Sequence, residues 1–436
     1  MKVAIIGTGY VGLTTGVCLA DLGHHVICVD NDLEKIEKLK RGESPIYEIG
    51  MEDLLRKNLK EGRIVFMNEI ASAVKESEII FVCVNTPPKK DGHADLKYVE
   101  QVTKEIALTQ CNHGDYKIIV DKSTVPVKTA EKVKETLARY GAKEAMFDVV
   151  SNPEFLKEGT AIKDTLEPDR LVIGVDSEKA KEKMLELYKP LIDKTHVPVK
   201  IVPVRSAEII KHGANTFLAL KISFANLIAF MCEDVGANAL ETLEAIGLDA
   251  RIGSQFLKPG IGFGGGCFPK DIAALKKTLE ILGIDGSLID SIERINETAW
   301  QRFVKKVEKE LWVLDGKLIA VLGLAFKSGT DDIRNSPALK VIEVLKANGA
   351  RIRAYDPQAI ENARKVIPDI QYCSDPYDAM KDSEALLVCT EWEEIKTLDP
   401  KKIKETMAVP IVFDGRNVFD PQKMKKAGFT YFGSGR

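Results

Sequence analysis

The sequence predicts an α/β protein built from two similar halves around a helical middle. Three observations predict it. Strand and helix signals alternate at both ends of the chain, the two ends repeat one another imperfectly, and between them lies a long stretch of helical apolar spacing. At 436 residues the chain is too long for one hydrophobic core, so two or three domains are expected.

The elements follow in order. "KVAIIG" reads as a strand, "VGLTTGVCLADLG" as the helix after it, and "HHVICVD" as the second strand. "EIIFVCV", "KIIVDKST" and "FDVVSNPE" are further buried strands separated by helical stretches, which carries the first domain over 1–195. From Ser206 to Asp234 the apolar positions recur at helical spacing, which predicts a connecting helix. Helical patterns continue to about Leu314, interrupted by the glycine-rich "GIGFGGGCFPKD", and set a middle domain at 196–314. "KLIAVLGLAFK" opens a second strand series with the helix "PALKVIEVLKANG" and the strands "ARIRAYD", "EALLVCTEW" and "PIVFDGR", giving a third domain at 315–436. The repeat is visible in the text: "VAIIGTGYVG" with "HHVICVD" parallels "IAVLGLAFK" with "ARIRAYD". The predicted architecture is therefore two Rossmann-like domains joined by a long central helix and a helical middle domain, with ligands at the carboxyl ends of the strands.

Charge and cysteines bound the function. The 62 basic and 65 acidic residues nearly cancel to −3, so no broad positive field invites nucleic acid or an anionic membrane. The eight cysteines are scattered without a CxxC pair, and no secretory signal precedes them. That usage predicts a reducing, cytoplasmic setting and no metal site. The longest apolar run, Phe224 to Met231, is shorter than the roughly 20 residues that span a bilayer, so no membrane segment is expected.

The N-terminal motif is informative through its context. Gly7, Gly9 and Gly12 follow a strand and open a helix, with Tyr10 and Val11 inside the turn and Asp30 at the end of the next strand. Gly7 allows the tight turn, Gly9 lets backbone N–H groups approach a pyrophosphate, and Gly12 lets helix pack on strand. Asp30 would accept from ribose hydroxyls and repel a 2′-phosphate, which favours NAD over NADP even with Lys35 nearby. The second half keeps Gly323 but has Ala325 and Phe326 where the turn would continue, so a second dinucleotide is not expected there. Lys327 and Arg334 suit a phosphate or diphosphate instead, solvated surface charge being the competing reading.

Cys267 follows Gly262, Gly264, Gly265 and Gly266 and precedes Pro269, Lys270 and Asp271. Pro269 suits the first turn of a helix, which sets Cys267 just ahead of a helix N-terminus, where thiolate is favoured over thiol. The glycines would let a bulky substrate approach the sulfur. A thiolate in a chain that binds NAD points to oxidation through a thioester; a packed thiol beside a flexible loop is the alternative. Glu154 and Glu158, if helical, lie one turn apart, and Lys211 and Asn215 have the same spacing on the connecting helix. Each pair alone reads more readily as surface polarity than as chemistry.

Taken in order, "GTGYVG", "NTPP", "KSTVPV", "NPEFLKEGTA", "KHGANTFLALKISFANLIA", "RIGSQFLKPGIGFGGGCFPKD", "GLAFKSGTDDIRNSPA" and "FDGRN" resemble the UDP-glucose/GDP-mannose dehydrogenase family, and within it the UDP-glucose 6-dehydrogenase branch. The resemblance covers nearly the whole chain. It implies a four-electron oxidation of UDP-glucose at C6 to UDP-glucuronate, with two NAD⁺ and one water consumed. It implies Cys267 as nucleophile, Asp271 with a water as the proton-handling group, Lys211 and Asn215 at the oxyanion, Glu154 assisting thioester hydrolysis, and Thr124 near the nicotinamide. Val11, Asp30, Lys35, Thr86, Glu158, Lys270 and Arg334 match cofactor contacts. Phe155, Leu156, Lys157, Phe256, Leu257, Lys258, Pro259, Gly260, Gly264 and Lys327 match substrate contacts, and Arg251 resembles an arginine given across a homodimer interface. Two other readings stand beside this one: a two-electron hydroxyacid dehydrogenase, which would not need Cys267, and a protein that senses NAD without turnover. Within the first, GDP-mannose and UDP-N-acetylhexosamines compete as substrates.

Overall fold

The computed structural model describes residues 1–87, 89, 94–111, 115–123 and 125–436. The first sheet is made of β1 (Lys2–Ile6), β2 (His25–Val29), β3 (Ile64–Met67), β4 (Ile79–Val82), β5 (Lys117–Asp121), β6 (Phe147–Ser151), β7 (Leu171–Gly174) and β8 (Val199–Val202). Its strand order is β3-β2-β1-β4-β5-β6-β7-β8, parallel throughout except where β6 meets β7. The second sheet is made of β9 (Leu318–Leu322), β10 (Arg351–Tyr355), β11 (Gln371–Tyr372), β12 (Ala385–Val388), β13 (Ile411–Asp414) and β14 (Thr430–Gly433), in the order β11-β10-β9-β12-β13-β14. The first six strands of the first sheet and the six of the second thus follow the same permutation, the order of a dinucleotide-binding doubly wound sheet, with β7 and β8 extending the first, and the strand order reverses beside β1 and β9.

Burial explains the strand sequences. Val3 and Ile5 join one hydrophobic cluster while Ala4 and Ile6 join another. A strand covered on both faces has no need of polar alternation, which is why these strands read as continuous apolar runs.

Packing divides the chain into two compact units, Met1–Ala214 with Ala273–Gly283, and Asn215–Ile272 with Ile284–Arg436. The expected connecting helix spans Val204–Val235. Among the described residues it is the one helix long and apolar enough to cross a membrane, with a mean hydropathy of 1.5 over its most apolar window. The run-length argument missed this because it counted only uninterrupted apolar residues. The polar residues within the helix are nonetheless engaged by protein. Glu208 accepts from the Lys128 and Ala130 amides at 2.6 and 3.0 Å, and His212 Nε2 lies 2.7 Å from the Val125 carbonyl. Ser223 donates to the Ile292 carbonyl, and Asn226 Oδ1 accepts from the Gly260 amide. Such contacts belong to a helix packed in a protein interior.

Candidate active site

The glycine turn after β1 has the geometry its sequence requires. Gly7 takes φ +99°, and a Cβ there would sit 2.6 Å from the Cys83 carbonyl oxygen. A Cβ on Gly12 would lie 1.9 Å from the Gly7 carbonyl oxygen, so the helix Tyr10–Asp21 approaches the strand as only glycine permits. At Gly9 a Cβ would meet nothing within 4 Å, which leaves the turn open on the side a pyrophosphate would use. Val11 follows, half-buried, and Thr86 after β4 is buried.

Asp30 closes this pocket. Its Oδ2 accepts from the Thr8 amide at 2.9 Å, the Thr8 hydroxyl at 2.6 Å and Lys35 Nζ at 3.0 Å, while Oδ1 takes the Asp32 amide at 3.1 Å. Burial alone would raise its pKa, but the Thr8 and Lys35 hydrogen bonds outweigh it and hold the group below the usual carboxylate range. It stays an acceptor, and Oδ1 retains capacity for a ribose hydroxyl. These residues fit a dinucleotide, and NAD supplies a hydride acceptor when bound there.

A second group forms at the carboxyl ends of β5 and β6. Glu154 is not helical as supposed: residues 152–157 run irregularly and the next helix starts at Ala161. Pro153 disfavours helical backbone at Asn152, and Glu154 Oε2 takes the Leu156 amide at 2.9 Å. Glu154 and Glu158 are both buried, so neither is surface polarity. Glu154 Oε1 receives Lys211 Nζ at 2.8 Å, with both side chains 6% exposed. Desolvation pushes Glu154 up, yet the Lys211 charge and hydrogen bond, joined by the Lys122 charge, hold it below the usual range. Phe155 is stacked by Arg170 at 3.8 Å and faced by Lys211 at 5.6 Å. Leu156 is half-buried, and Lys157 is exposed with Nζ 3.7 Å from Asp164. Thr124 lies outside the described residues.

Several residues here escaped the sequence reading. Lys122 and Asp121 lie buried at the end of β5, and with Glu154, Glu208 and Lys211 they line one small, partly open cavity. The strand "KIIVDKST" carried the signal, since a buried strand ending in two charges needs partners for them. Glu48 was also missed. It is buried, accepts from the Gly159 and Ala161 amides at 2.7 and 2.8 Å and from the Tyr10 hydroxyl, and so ties the dinucleotide turn to the loop that carries Glu154.

The second unit holds the thiol. Cys267 is exposed and begins the helix Cys267–Leu282, one position further into the helix than expected. Helical spacing sets Lys270 and Asp271 one turn on. Asp271 is fully buried; Asn215 Nδ2 donates to its Oδ2 at 2.5 Å, and Lys270 Nζ lies 3.8 Å from Oδ1. Asn215 is itself buried.

The glycines ahead of Cys267 serve a different purpose from substrate clearance. A Cβ on Gly264 would lie 2.4 Å from the Asn335 carbonyl oxygen, on Gly265 2.8 Å from the Phe326 ring, and on Gly266 2.4 Å from the Arg334 guanidinium carbon. Gly262, at φ +98°, abuts Asn296. The run is stripped so that this loop can lie against the loop after β9, and the Gly265 amide donates to the Arg334 carbonyl at 2.7 Å. Arg334 is exposed and Lys327 half-buried. In the stretch 256–260, Phe256 takes φ +64°, Leu257, Pro259 and Gly260 are buried, and Lys258 is exposed. Arg251 is exposed and pairs with Asp249 at 2.7 Å.

The repeat of the dinucleotide site in this unit is closed. Asp356, at the position equivalent to Asp30, spends both oxygens on the amides of Leu324, Ala325, Gln358 and Ala359 and on the Trp392 indole. A carboxylate so engaged has no acceptor left for a ribose.

An open glycine turn with a pre-ionised Asp30, on a doubly wound sheet followed by a second sheet of the same order, defines an NAD-dependent oxidoreductase. The chain belongs to the UDP-glucose/GDP-mannose dehydrogenase family: residues 1–192 match its NAD binding domain, 205–298 its central domain and 320–421 its UDP binding domain. It is 45% identical over 437 residues to UDP-glucose 6-dehydrogenase TuaD of Bacillus subtilis (strain 168), covering 100% of this chain and 93% of that one. The structure of a UDP-glucose dehydrogenase from the archaeon Pyrobaculum islandicum superimposes with a TM-score of 0.92 at 37% identity, over 99% of this chain and 97% of that one. A UDP-D-ManNAc dehydrogenase from Pyrococcus horikoshii follows at 0.87 and 29%, over 100% and 99%.

Proposed function

We propose that the protein oxidises UDP-glucose at C6 to UDP-glucuronate through a thioester on Cys267. The observation that carries this reading is the exposed thiol at the start of a helix whose next turn holds a buried carboxyl, Asp271, fixed by the Asn215 amide. The similarity to UDP-glucose 6-dehydrogenases supports the choice of sugar.

In the chemistry we assign, Asp271 and a water receive the C6 hydroxyl proton as the alcohol becomes an aldehyde. Cys267 Sγ then adds to the aldehyde carbon, and Lys211 and Asn215 donate to the oxygen on which negative charge develops. Loss of a second hydride leaves C6 acylated on sulfur. Water adds to that carbon as Glu154 takes one of its protons, the C–S bond breaks to release thiolate and the carboxylic acid, and the acid gives its remaining proton to solvent as carboxylate. Each sugar therefore yields two hydrides. Thr124 belongs near this reaction by family pattern, as do Glu158 and Lys270 at the cofactor.

We apportion the chain as 1–195 for NAD, 196–314 for the connecting helix and thiol loop, and 315–436 for the uridine diphosphate. Phe155 to Glu158, Phe256 to Gly260, Gly264 and Lys327 hold the sugar nucleotide. Arg251 serves a neighbouring protomer's substrate in a homodimer or a multiple of it. The setting is cytoplasmic, and no disulfide joins the described cysteines.

A substrate panel tests the assignment. With NAD⁺, UDP-glucose should give the highest kcat/KM and two NADH per sugar, ahead of GDP-mannose and UDP-N-acetylhexosamines. One NADH per sugar would contradict the four-electron reaction, and a preference for another nucleotide sugar would contradict the substrate.

A further inference from the structure

We propose that Lys122 is a positioning residue for thioester hydrolysis: a second buried ammonium that keeps Glu154 ionised while Lys211 serves the oxyanion. The inference rests on the thioester reading above. Glu154 sits in an interior where desolvation favours the neutral acid. Lys211 corrects this, but Lys211 is also assigned to the developing oxyanion, and at that moment its hydrogen bond to Glu154 is shared or given up. A carboxyl abandoned by its cation in such a site loses its strength as a base when the attacking water must be deprotonated.

The geometry offers Lys122 as the group that stays. Its Nζ donates to Asn152 Oδ1 at 3.0 Å. That oxygen also accepts from the Tyr188 hydroxyl at 2.5 Å, and the other end of the amide donates to the Val172 carbonyl at 2.7 Å. Asn152 is thus fixed from β7 and from the helix Glu178–Thr195, and it fixes Lys122 in turn. Lys122 lines the same cavity as Glu154 and Lys211, and its charge acts on Glu154. A tethered ammonium cannot follow the substrate, so its contribution persists when Lys211 turns away.

The surrounding groups leave Lys122 little other work. Burial lowers its pKa to about 8, against which Cys83 and Glu154 raise it and Lys211 lowers it further. Cys83 is pushed up to about 12 by burial and is neutral near pH 7. Asp121, on the same strand, is raised well above the usual range by desolvation and then by Glu208, against which only the Ser123 backbone amide lowers it. Glu208 is committed to the Lys128 and Ala130 amides, and Tyr188 is raised by burial. Near pH 7, therefore, Lys122 is a cation that shares this cavity with Glu154, Lys211 and Glu208, the last raised by burial against the Ala130 and Lys128 amides.

The test separates charge from hydrogen bonding. Lys122→Gln keeps a donor for Asn152 and removes the charge; Lys122→Arg keeps the charge. Acyl-enzyme is followed by intact mass after rapid quenching of full-length protein with UDP-glucose and NAD⁺ between about pH 3 and pH 8, with thermal melts at each pH as a check of folding. We expect the acid limb of acyl-enzyme decay to move up by at least about one pH unit in Lys122→Gln, the scale of one lost opposite charge, and so to slow decay about tenfold below that limb. Lys122→Arg should leave the limb in place. Superimposable profiles for Lys122→Gln and the unmodified protein would overturn the proposal, because a role confined to the hydrogen bond with Asn152 predicts that result. Should the arginine fail to fold, the glutamine profile decides alone. If acyl-enzyme forms neither in the unmodified protein nor in Glu154→Gln, the thioester reading itself has failed and Lys122 loses its role with it.

Discussion

Asp30 shows how much a single residue can declare and where the declaration stops. Its place after a glycine turn and a strand announced a ribose acceptor, and its four hydrogen bonds account for a carboxylate held ionised in a half-enclosed site. Lys35 looked in sequence like a partner for a 2′-phosphate, but its ammonium is paired to Asp30. NADP⁺ would have to break that pair and face the carboxylate. The protein should therefore prefer NAD⁺, and Asp30→Ala should narrow the gap by removing both acceptor and repulsion. The comparison is kcat/KM for the two cofactors; equal or better values with NADP⁺ in the unmodified protein would contradict the assignment. Buried charge was the part of the site that the sequence concealed. The strand "KIIVDKST" signals that its terminal charges need partners but not which, because Lys122 is buried against Asn152, and Asn152 is fixed from β7 and the helix Glu178–Thr195, both distant in the chain.

At the scale of elements, periodicity succeeded where neighbours along the chain decide the structure. The connecting helix, expected from Ser206 to Asp234, spans Val204–Val235, and β1, β2, β4, β5, β6, β9, β10, β12 and β13 fall within the stretches that predicted them, whereas β3, β7, β8, β11 and β14 were not anticipated. Loops were harder. Glu154 and Glu158 were spaced as on a helix, yet Pro153 and the hydrogen bond from the Leu156 amide to Glu154 keep the segment irregular, and both carboxyls are buried. The glycine run was misread for a related reason. A missing side chain shows that something comes close, but not what: here Asn335, Phe326 and Arg334 of the same unit take the space. Those contacts leave Cys267 exposed at the start of its helix.

At the scale of the whole molecule, the long helix presents an apolar stripe that one chain does not cover. Phe217, Phe224, Leu227, Met231 and Val235 are exposed along it, at spacings that share one side of the helix. We expect light scattering at assay concentration to give a homodimer or a multiple of it, and replacing Phe217 and Met231 together by charged residues to shift it toward monomer. A fully active monomer of the unmodified protein would contradict the role given to Arg251 across an interface.

The central claim is that Cys267 carries the sugar as a covalent acyl group, and one substitution bears on it most directly. Serine nearly preserves volume, but its hydroxyl stays protonated near neutral pH where a thiol at a helix start can ionise. If Cys267 is the nucleophile, steady production of two NADH per UDP-glucose in Cys267→Ser should fall at least about a hundredfold, the scale of losing one positioned catalytic group. Near-normal turnover with two NADH per sugar in that variant would contradict the thioester mechanism.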